Sequence, residues 1–155
     1  MRFLYPVDIS GHVSTGDDGR PVTEYLATFP DLPEAITSGD THAEALVNAV
    51  DCLEEALAAR IKAREDLPAP GPARVGVGAP RPLIAPGSLI ASKAALYLAL
   101  RESGLRPAEL ARRAGIDRAA VNRLLDPAHA TKPAQFDAAF AALGKRLVVS
   151  VENAA

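Results

Sequence analysis

Pro107–Leu125 reads PAELARRAGIDRAAVNRLL, and this stretch predicts two short helices joined by a tight turn. Pro107 suits a first helical position, because the N–H it lacks would have no helical partner there. Leu110 and Ala111 open the buried side of the first helix. Gly115 supplies the turn, where a positive φ costs any residue with a Cβ more. Asp117 is placed to cap the second helix by accepting its free N–H groups, and Val121, Leu124 and Leu125 form that helix's inward face. A small residue at 111, a glycine at 115 and a β-branched residue at 121 make the helix-turn-helix pattern, whose second helix enters the DNA major groove. The outward residues of the second helix are Arg118, Ala119, Asn122 and Arg123. Arginine reads guanine bidentately and asparagine reads adenine, so these residue types suit base edges. Arg112, at the end of the first helix, and Lys132, beyond the second, are expected at the DNA backbone. The competing reading of the same residues is an ordinary helical hairpin with a solvated arginine face.

The flanks extend this unit. Ser88–Glu102 is helical in pattern and Gly104 ends it as a residue just past the helix. Asp126–Pro127 stops the second helix of the motif. After His129–Thr131 a further helix presents Phe136, Ala139, Phe140 and Leu143 on one side, closed by Gly144. The expected result is a four-helix cluster. Arg146–Glu152 (RLVVSVE) then alternates Leu147, Val149 and Val151, as a strand does. A lone strand cannot satisfy its own backbone groups, so these residues are expected to pair with a second copy of the chain.

The N-terminal half has a different grammar. Phe3–Ile9 alternates as a half-buried strand, Thr15–Arg20 (TGDDGR) signals a hairpin loop, and Val22–Phe29 is a second strand. Pro30–Pro33 (PDLP) breaks it, and Ala35–Ser38 is a short third strand. Thr41-His42-Ala43-Glu44 forms a capping box in which the threonine hydroxyl bonds the Glu44 N–H and the carboxylate returns to Thr41. The helix that follows, to about Arg64, carries Leu46, Val50, Leu53, Leu57 and Ile61 on one stripe. The unit is therefore β-β-β-α. Residues 66–87 hold six of the thirteen prolines and read in part as a linker. Either Arg74–Val77 or Leu83–Ala85 completes the sheet as a last edge strand. This places one domain at 1–86 and a second at 88–155.

The chain has 155 residues, 48% of them apolar, and a net charge of −2, as expected of a globular protein. No stretch approaches the ~20 apolar residues of a membrane span, and the N-terminus lacks a secretory pattern. With Cys52 alone, no internal disulfide forms. A cytoplasmic protein is expected, with Cys52 a small core or boundary residue. The net charge hides an asymmetry: residues 1–86 hold 7 Lys and Arg against 13 Asp and Glu, whereas residues 87–155 hold 10 against 6. The basic half favours a polyanion through counterion release, and the acidic half favours a basic protein.

In this order the features resemble the HicB antitoxins of bacterial type II toxin–antitoxin modules. TFPDLPEAITSGDT at 28–41 and the helix after it look like their N-terminal domain. SKAALYLALRESGL at 92–105, AELARRAGI at 108–116, VNRLLDPAHATK at 121–132 and ALGKRLVVSVE at 142–152 look like their helix-turn-helix extension. The resemblance implies an α+β protein with a partial RNase H-like β-β-β-α(-β) domain, followed by an all-helical DNA-binding domain ending in a short strand. It implies two partners. One is a HicA-type toxin, an mRNA-cleaving ribonuclease with a double-stranded-RNA-binding-domain-like fold; the other is operator DNA, bound by a homodimer or higher oligomer. Phe29, Asp31 and Glu34, around the turn after the second strand, are nominated as toxin contacts, against the reading of that segment as an ordinary turn. The chain departs from the family in having Glu34–Ala35 after DLP, where members often carry Gly-Cys, and in a long segment at Ser10–Pro21.

An RNase H-like fold raises the question of metal-dependent nuclease chemistry, which gathers carboxylates around ions about 4 Å apart. No spacing forces Asp8, Asp31, Asp40 and Asp51 together. His12, His42 and His129 are dispersed and fall in no metal-ligand pattern. No nucleotide-binding glycine motif is present, and with aromatics at 5% a base-stacking platform is not expected. No enzyme and no cofactor are therefore expected. The alternatives to a bifunctional antitoxin are a ligand-responsive transcriptional regulator and an RNase H-like nuclease.

Overall fold

A computed structural model describes residues 2–72 and 80–151. The chain divides into two compact units, residues 1–91 and 92–155.

In the first unit, strands β1 (Tyr5–Pro6) and β2 (Asp8–Thr15) follow one another with only Val7 between them. Strand β2 pairs antiparallel with β3 (Pro21–Phe29), from Asp8 opposite Thr28 to Thr15 opposite Pro21. The predicted first strand therefore continues six residues beyond Ile9, and most of the long segment after Ser10 is strand. Only Gly16–Arg20 is turn, closed by Gly16 N–H to the Arg20 carbonyl at 2.8 Å and by Gly19 at φ +78°. Strand β4 (Leu32–Gly39) pairs antiparallel with β3. The predicted break at PDLP is confined to Pro30–Asp31, since Leu32 already stands opposite Phe29. The register then slips, so that Ile36 is opposite Thr28.

Helix α1 (His42–Ala63) lies across β3 and β4. Thr41 caps it, its Oγ1 accepting from Glu44 N at 3.1 Å, while the Glu44 carboxylate returns to the Asp40 N–H at 2.9 Å rather than to Thr41. Of the predicted stripe, Leu53, Leu57 and Ile61 are buried; Leu46 and Val50 are only half-buried, and Ala45, Ala49 and Ala56 take the interior places. The reason is close approach. A Cβ on Gly39 would stand 2.6 Å from the Ala45 nitrogen, so only small residues fit where the first turns of α1 meet β4.

Strand β5 (Leu83–Ile84) pairs antiparallel with β1, and Val7 N–H donates to the Pro82 carbonyl at 3.0 Å. Of the expected Leu83–Ala85, Leu83–Ile84 is the last strand of this unit among the described residues, but it makes a separate two-stranded sheet with β1 and does not complete the three-stranded sheet β2–β3–β4 as its edge; its rival, Arg74–Val77, lies outside the described residues. The described parts of the Pro/Gly segment are bound along the unit. Gly71 N–H donates to Asp31 Oδ2 at 2.8 Å, Gly87 N–H to Glu54 Oε1 at 2.6 Å, and Arg81 Nε to Asp8 Oδ1 at 2.6 Å.

Tyr5 shows how tightly this segment is held. Its ring is fully buried and its hydroxyl donates to the Pro68 carbonyl at 2.9 Å. Burial, helped by the charge of Asp31, pushes its pKa up to about 12. The folded state therefore keeps a proton that the unfolded chain releases near pH 10. Stability from this group is present below pH 10 and is lost as pH rises towards 12, by up to about 2–3 kcal/mol. Urea unfolding at pH 9 and pH 11.5 is expected to show that fall in the wild type and not in Tyr5→Phe, which instead loses about 1 kcal/mol at neutral pH through the broken hydrogen bond.

Helix α2 (Ser88–Ser103) leads into the second unit. Gly104 ends it at φ +66°. Helix α3 (Pro107–Ala114) begins on Pro107 and ends on Gly115, also at φ +66°. Helix α4 (Arg118–Leu125) is capped by Asp117, whose Oδ1 accepts from Ala120 N at 2.6 Å. Helix α5 (Pro133–Ala142) follows, with Phe136, Ala139 and Phe140 buried as predicted and Leu143 half-buried just beyond it. Leu100, Leu110, Ala111 and Val121 form the centre of this unit, with Leu105, Ile116, Leu125, Ala142 and Leu143 packed around them.

Residues 145–151 differ from expectation. They form no strand in the single chain, Leu147 is half-buried, and Val148, Val149 and Val151 are all exposed. A strand exists only through a partner's backbone groups, and no described segment of the same chain pairs with this one.

Candidate nucleic-acid interface

The α3–turn–α4 pair is built from a buried inner side. Leu110 and Ala111 of α3 face Val121 of α4, and the three-residue turn Gly115–Asp117 sets the second helix across the first. With Val121 and Leu124 inward, the opposite side of α4 carries Arg118, Ala119, Asn122 and Arg123, all exposed. Arg118 with Asn122, and Ala119 with Arg123, are four residues apart, so the four share one helix face. Ala119 leaves space between the longer side chains.

The charges on the two helices differ in availability. On α3, Glu109 accepts from Arg112 Nε at 3.0 Å and Arg112 Nη2 at 2.7 Å, and from Arg113 Nε at 2.9 Å. These two guanidinium groups hold its carboxyl down to about 2. Arg112 is therefore already engaged by a carboxylate that any phosphate must displace. On α4, neither Arg118 nor Arg123 has a carboxylate partner among the described residues. Lys132 is exposed and precedes α5, where its N–H donates to Gln135 Oε1 at 3.2 Å.

A residue that the sequence reading passed over completes this region. Lys93, in α2, is fully buried. Its ammonium donates to the carbonyls of Arg123 and Leu124 at 3.0 and 3.2 Å and to Thr131 Oγ1 at 3.0 Å, with the Phe136 ring centroid 5.8 Å away. The signal was a single lysine inside the apolar run IASKAALYLAL.

The three nominated toxin contacts have employment within the first unit. Phe29 is 2% exposed and belongs to the core, which removes it as a surface contact: it shares its strand face with the buried Ala27. Asp31 holds Gly71, as described above. Glu34 is exposed but paired in two places with Arg60, by Nε to Oε1 and by Nη2 to Oε2 at 3.0 Å, which lowers its pKa. Of the carboxylates weighed as metal ligands, Asp8 is paired with Arg81. Among the described residues no three His, Cys, Asp or Glu side chains converge. Burial and the charge of Glu55 push the Cys52 thiol up, which disfavours the thiolate. No helix among the described residues is long and apolar enough to cross a membrane.

A mixed α+β chain, with an antiparallel sheet under one long helix and then a helical unit bearing an exposed basic face, is a two-part protein with a surface suited to a polyanion. The family model described as HicB-like antitoxin of bacterial toxin–antitoxin systems matches residues 13–77. Antitoxin HicB 1 of Photorhabdus laumondii is 37% identical over 135 residues, covering 86% of this chain and 83% of its own length. Antitoxin HicB of Pseudomonas fluorescens is 39% identical over 124 residues, covering 80% and 83%, and that of Escherichia coli K12 is 36% identical over 127, covering 82% and 89%. The chain belongs to the HicB antitoxin family.

Proposed function

We propose that this chain is a bifunctional antitoxin: its first unit binds and neutralises a HicA-type mRNA-cleaving toxin, and its second unit represses the toxin–antitoxin operon by placing α4 in the major groove of operator DNA. The observation that carries the reading is the extent of the likeness. The share of the chain aligned with HicB antitoxins exceeds either unit alone, so both the acidic and the basic unit belong to it. Charge supports the same division, since the acidic unit suits a basic RNA-binding surface and the basic unit suits DNA. The acidic turn carrying Asp31 and Glu34 is the proposed edge of the toxin contact. Arg60, which now neutralises Glu34, would exchange that partner for solvent or toxin.

Co-expression with a HicA-type toxin tests the reading. A stable complex that no longer cleaves RNA, and that retards the operon's promoter fragment, is the expected result. Failure of the two chains to co-purify would remove the antitoxin half.

The protein is further proposed to act as a homodimer or higher oligomer through residues 146–152, with Leu147, Val149 and Val151 at the junction. Helix-turn-helix proteins bind paired half-sites about one helical turn apart, and the exposed valines of this segment are not covered by any described residue of the chain. Deleting residues 146–155 is expected to give a monomer in sedimentation and to weaken operator binding at least tenfold, since two-site attachment is lost. A truncated chain that still sediments as the wild-type oligomer would refute the assignment.

A further inference from the structure

Helix α4 ends at Leu125, and the carbonyls of its last turn have no helical partner. They also carry the negative end of the helix dipole. Two of them, at Arg123 (which also accepts from the Asp126 N–H at 3.3 Å) and at Leu124, accept from the ammonium of Lys93, whose third donor goes to Thr131 in the segment leading to α5. A charge with no exposed surface is costly unless fully hydrogen-bonded, and here all three N–H groups are used. Burial nevertheless pushes the Lys93 pKa down. An apolar side chain of similar length would fill the same space without that cost, as buried ion sites replaced by hydrophobic residues show. Filling space therefore does not explain a lysine at this position. What lysine alone provides is a rigid tie between three elements: α2, the end of α4 and the Thr131 segment.

Resting on the DNA-binding reading above, we infer that Lys93 is the positioning residue of the recognition helix: it touches no DNA, but fixes the tilt and rotation of α4 so that Arg118 and Asn122 meet base edges. Direct readout needs side chains held to within about half an ångström. Phosphate contacts by long flexible side chains tolerate more. Loss of the tie should thus degrade discrimination between sequences far more than attachment to DNA in general.

The probe is the duplex recovered by wild-type protein from a random-sequence pool, compared with a scrambled duplex of equal length. Lys93→Met, folded as judged by circular dichroism, is expected to lose about tenfold in the ratio of the two affinities, with scrambled-duplex affinity within about twofold of wild type. Thr131→Val, which removes one of the three bonds, is expected to lose about threefold in the same ratio. An unchanged ratio in Lys93→Met overturns the inference, as does an equal loss on both duplexes. If Lys93→Met does not fold, Thr131→Val decides: an unchanged ratio there overturns it. If the wild type itself prefers no duplex, the DNA-binding reading fails on its own account. The tie is then read by amide hydrogen exchange in Lys93→Met or, if that variant does not fold, in Thr131→Val. Faster exchange at residues 121–126 with α3 unchanged supports the inference, and unaltered exchange overturns it.

Discussion

A chain carrying Arg118→Ala or Asn122→Ala is expected to lose about 1–3 kcal/mol of discrimination in favour of its selected duplex, if each residue reads one base pair. The two side chains stand four residues apart on the exposed face of α4, and no carboxylate in the described chain competes for Arg118. Lys132→Ala is expected to behave differently. As a phosphate contact it should weaken binding to all sequences alike and lower the salt slope by about one. Arg112→Ala should cost less than Arg118→Ala, because Glu109 already holds its guanidinium in two hydrogen bonds. Titration of the selected and scrambled duplexes at several salt concentrations separates these outcomes. Equal affinities for the selected duplex in wild type, Arg118→Ala and Asn122→Ala would end the assignment of α4 as the reading helix.

The second large effect is on stability. Leu110→Ala is expected to destabilise the helical unit by about 2–5 kcal/mol, the range for truncating a fully buried leucine. Leu110 has no exposed surface and packs with Leu100, Ala111 and Val121. The cavity would open where α3 meets α4, so α4 loses its support as well as its core. For a unit of this size the melting temperature should fall by about 10 °C or more. Calorimetry of the full chain checks this. Arg113→Ala, on the exposed side of the same helix, should leave the transition almost unmoved, because surface ion pairs contribute little. A similar small shift for Leu110→Ala would mean that the unit is not held together by this cluster.

These two predictions differ in how far the sequence prepared them. Pro107, Gly115 and Asp117 announced the ends of both helices through local backbone chemistry, and each does in the structure what its type suggests. Period alone placed Val121 and Leu124 inward, which left Arg118, Ala119, Asn122 and Arg123 outward. The hairpin turn at Gly16–Arg20 and the cap at Thr41 were legible for the same reason: the relevant groups lie within a few residues of one another. Where the reading slipped, distant groups decided. The stripe on α1 was assigned to its large residues, and Leu53, Leu57 and Ile61 hold it, yet at the start of the helix close approach to Gly39 gave the interior to Ala45. Glu34 was nominated as a toxin contact, yet in the structure it is paired with Arg60, 26 positions away. Phe29 was nominated as a toxin contact, yet strand alternation places it beside Ala27 in the core.

The sequence by itself determined the helices and the β2–β3–β4 hairpins, most of their caps and turns, the division into an acidic and a basic half, and the outward face of α4. These follow from side-chain periodicity and from donors and acceptors near in the chain. Tertiary structure alone decided that Gly71 is held by Asp31 and Gly87 by Glu54, that Arg118 and Arg123 have no carboxylate partner among the described residues, and that a lysine inside an apolar helix closes the end of another helix 30 residues on. Such pairings depend on where separate elements come to rest, and no local pattern encodes a hydrogen bond between residues whose neighbours in sequence never meet.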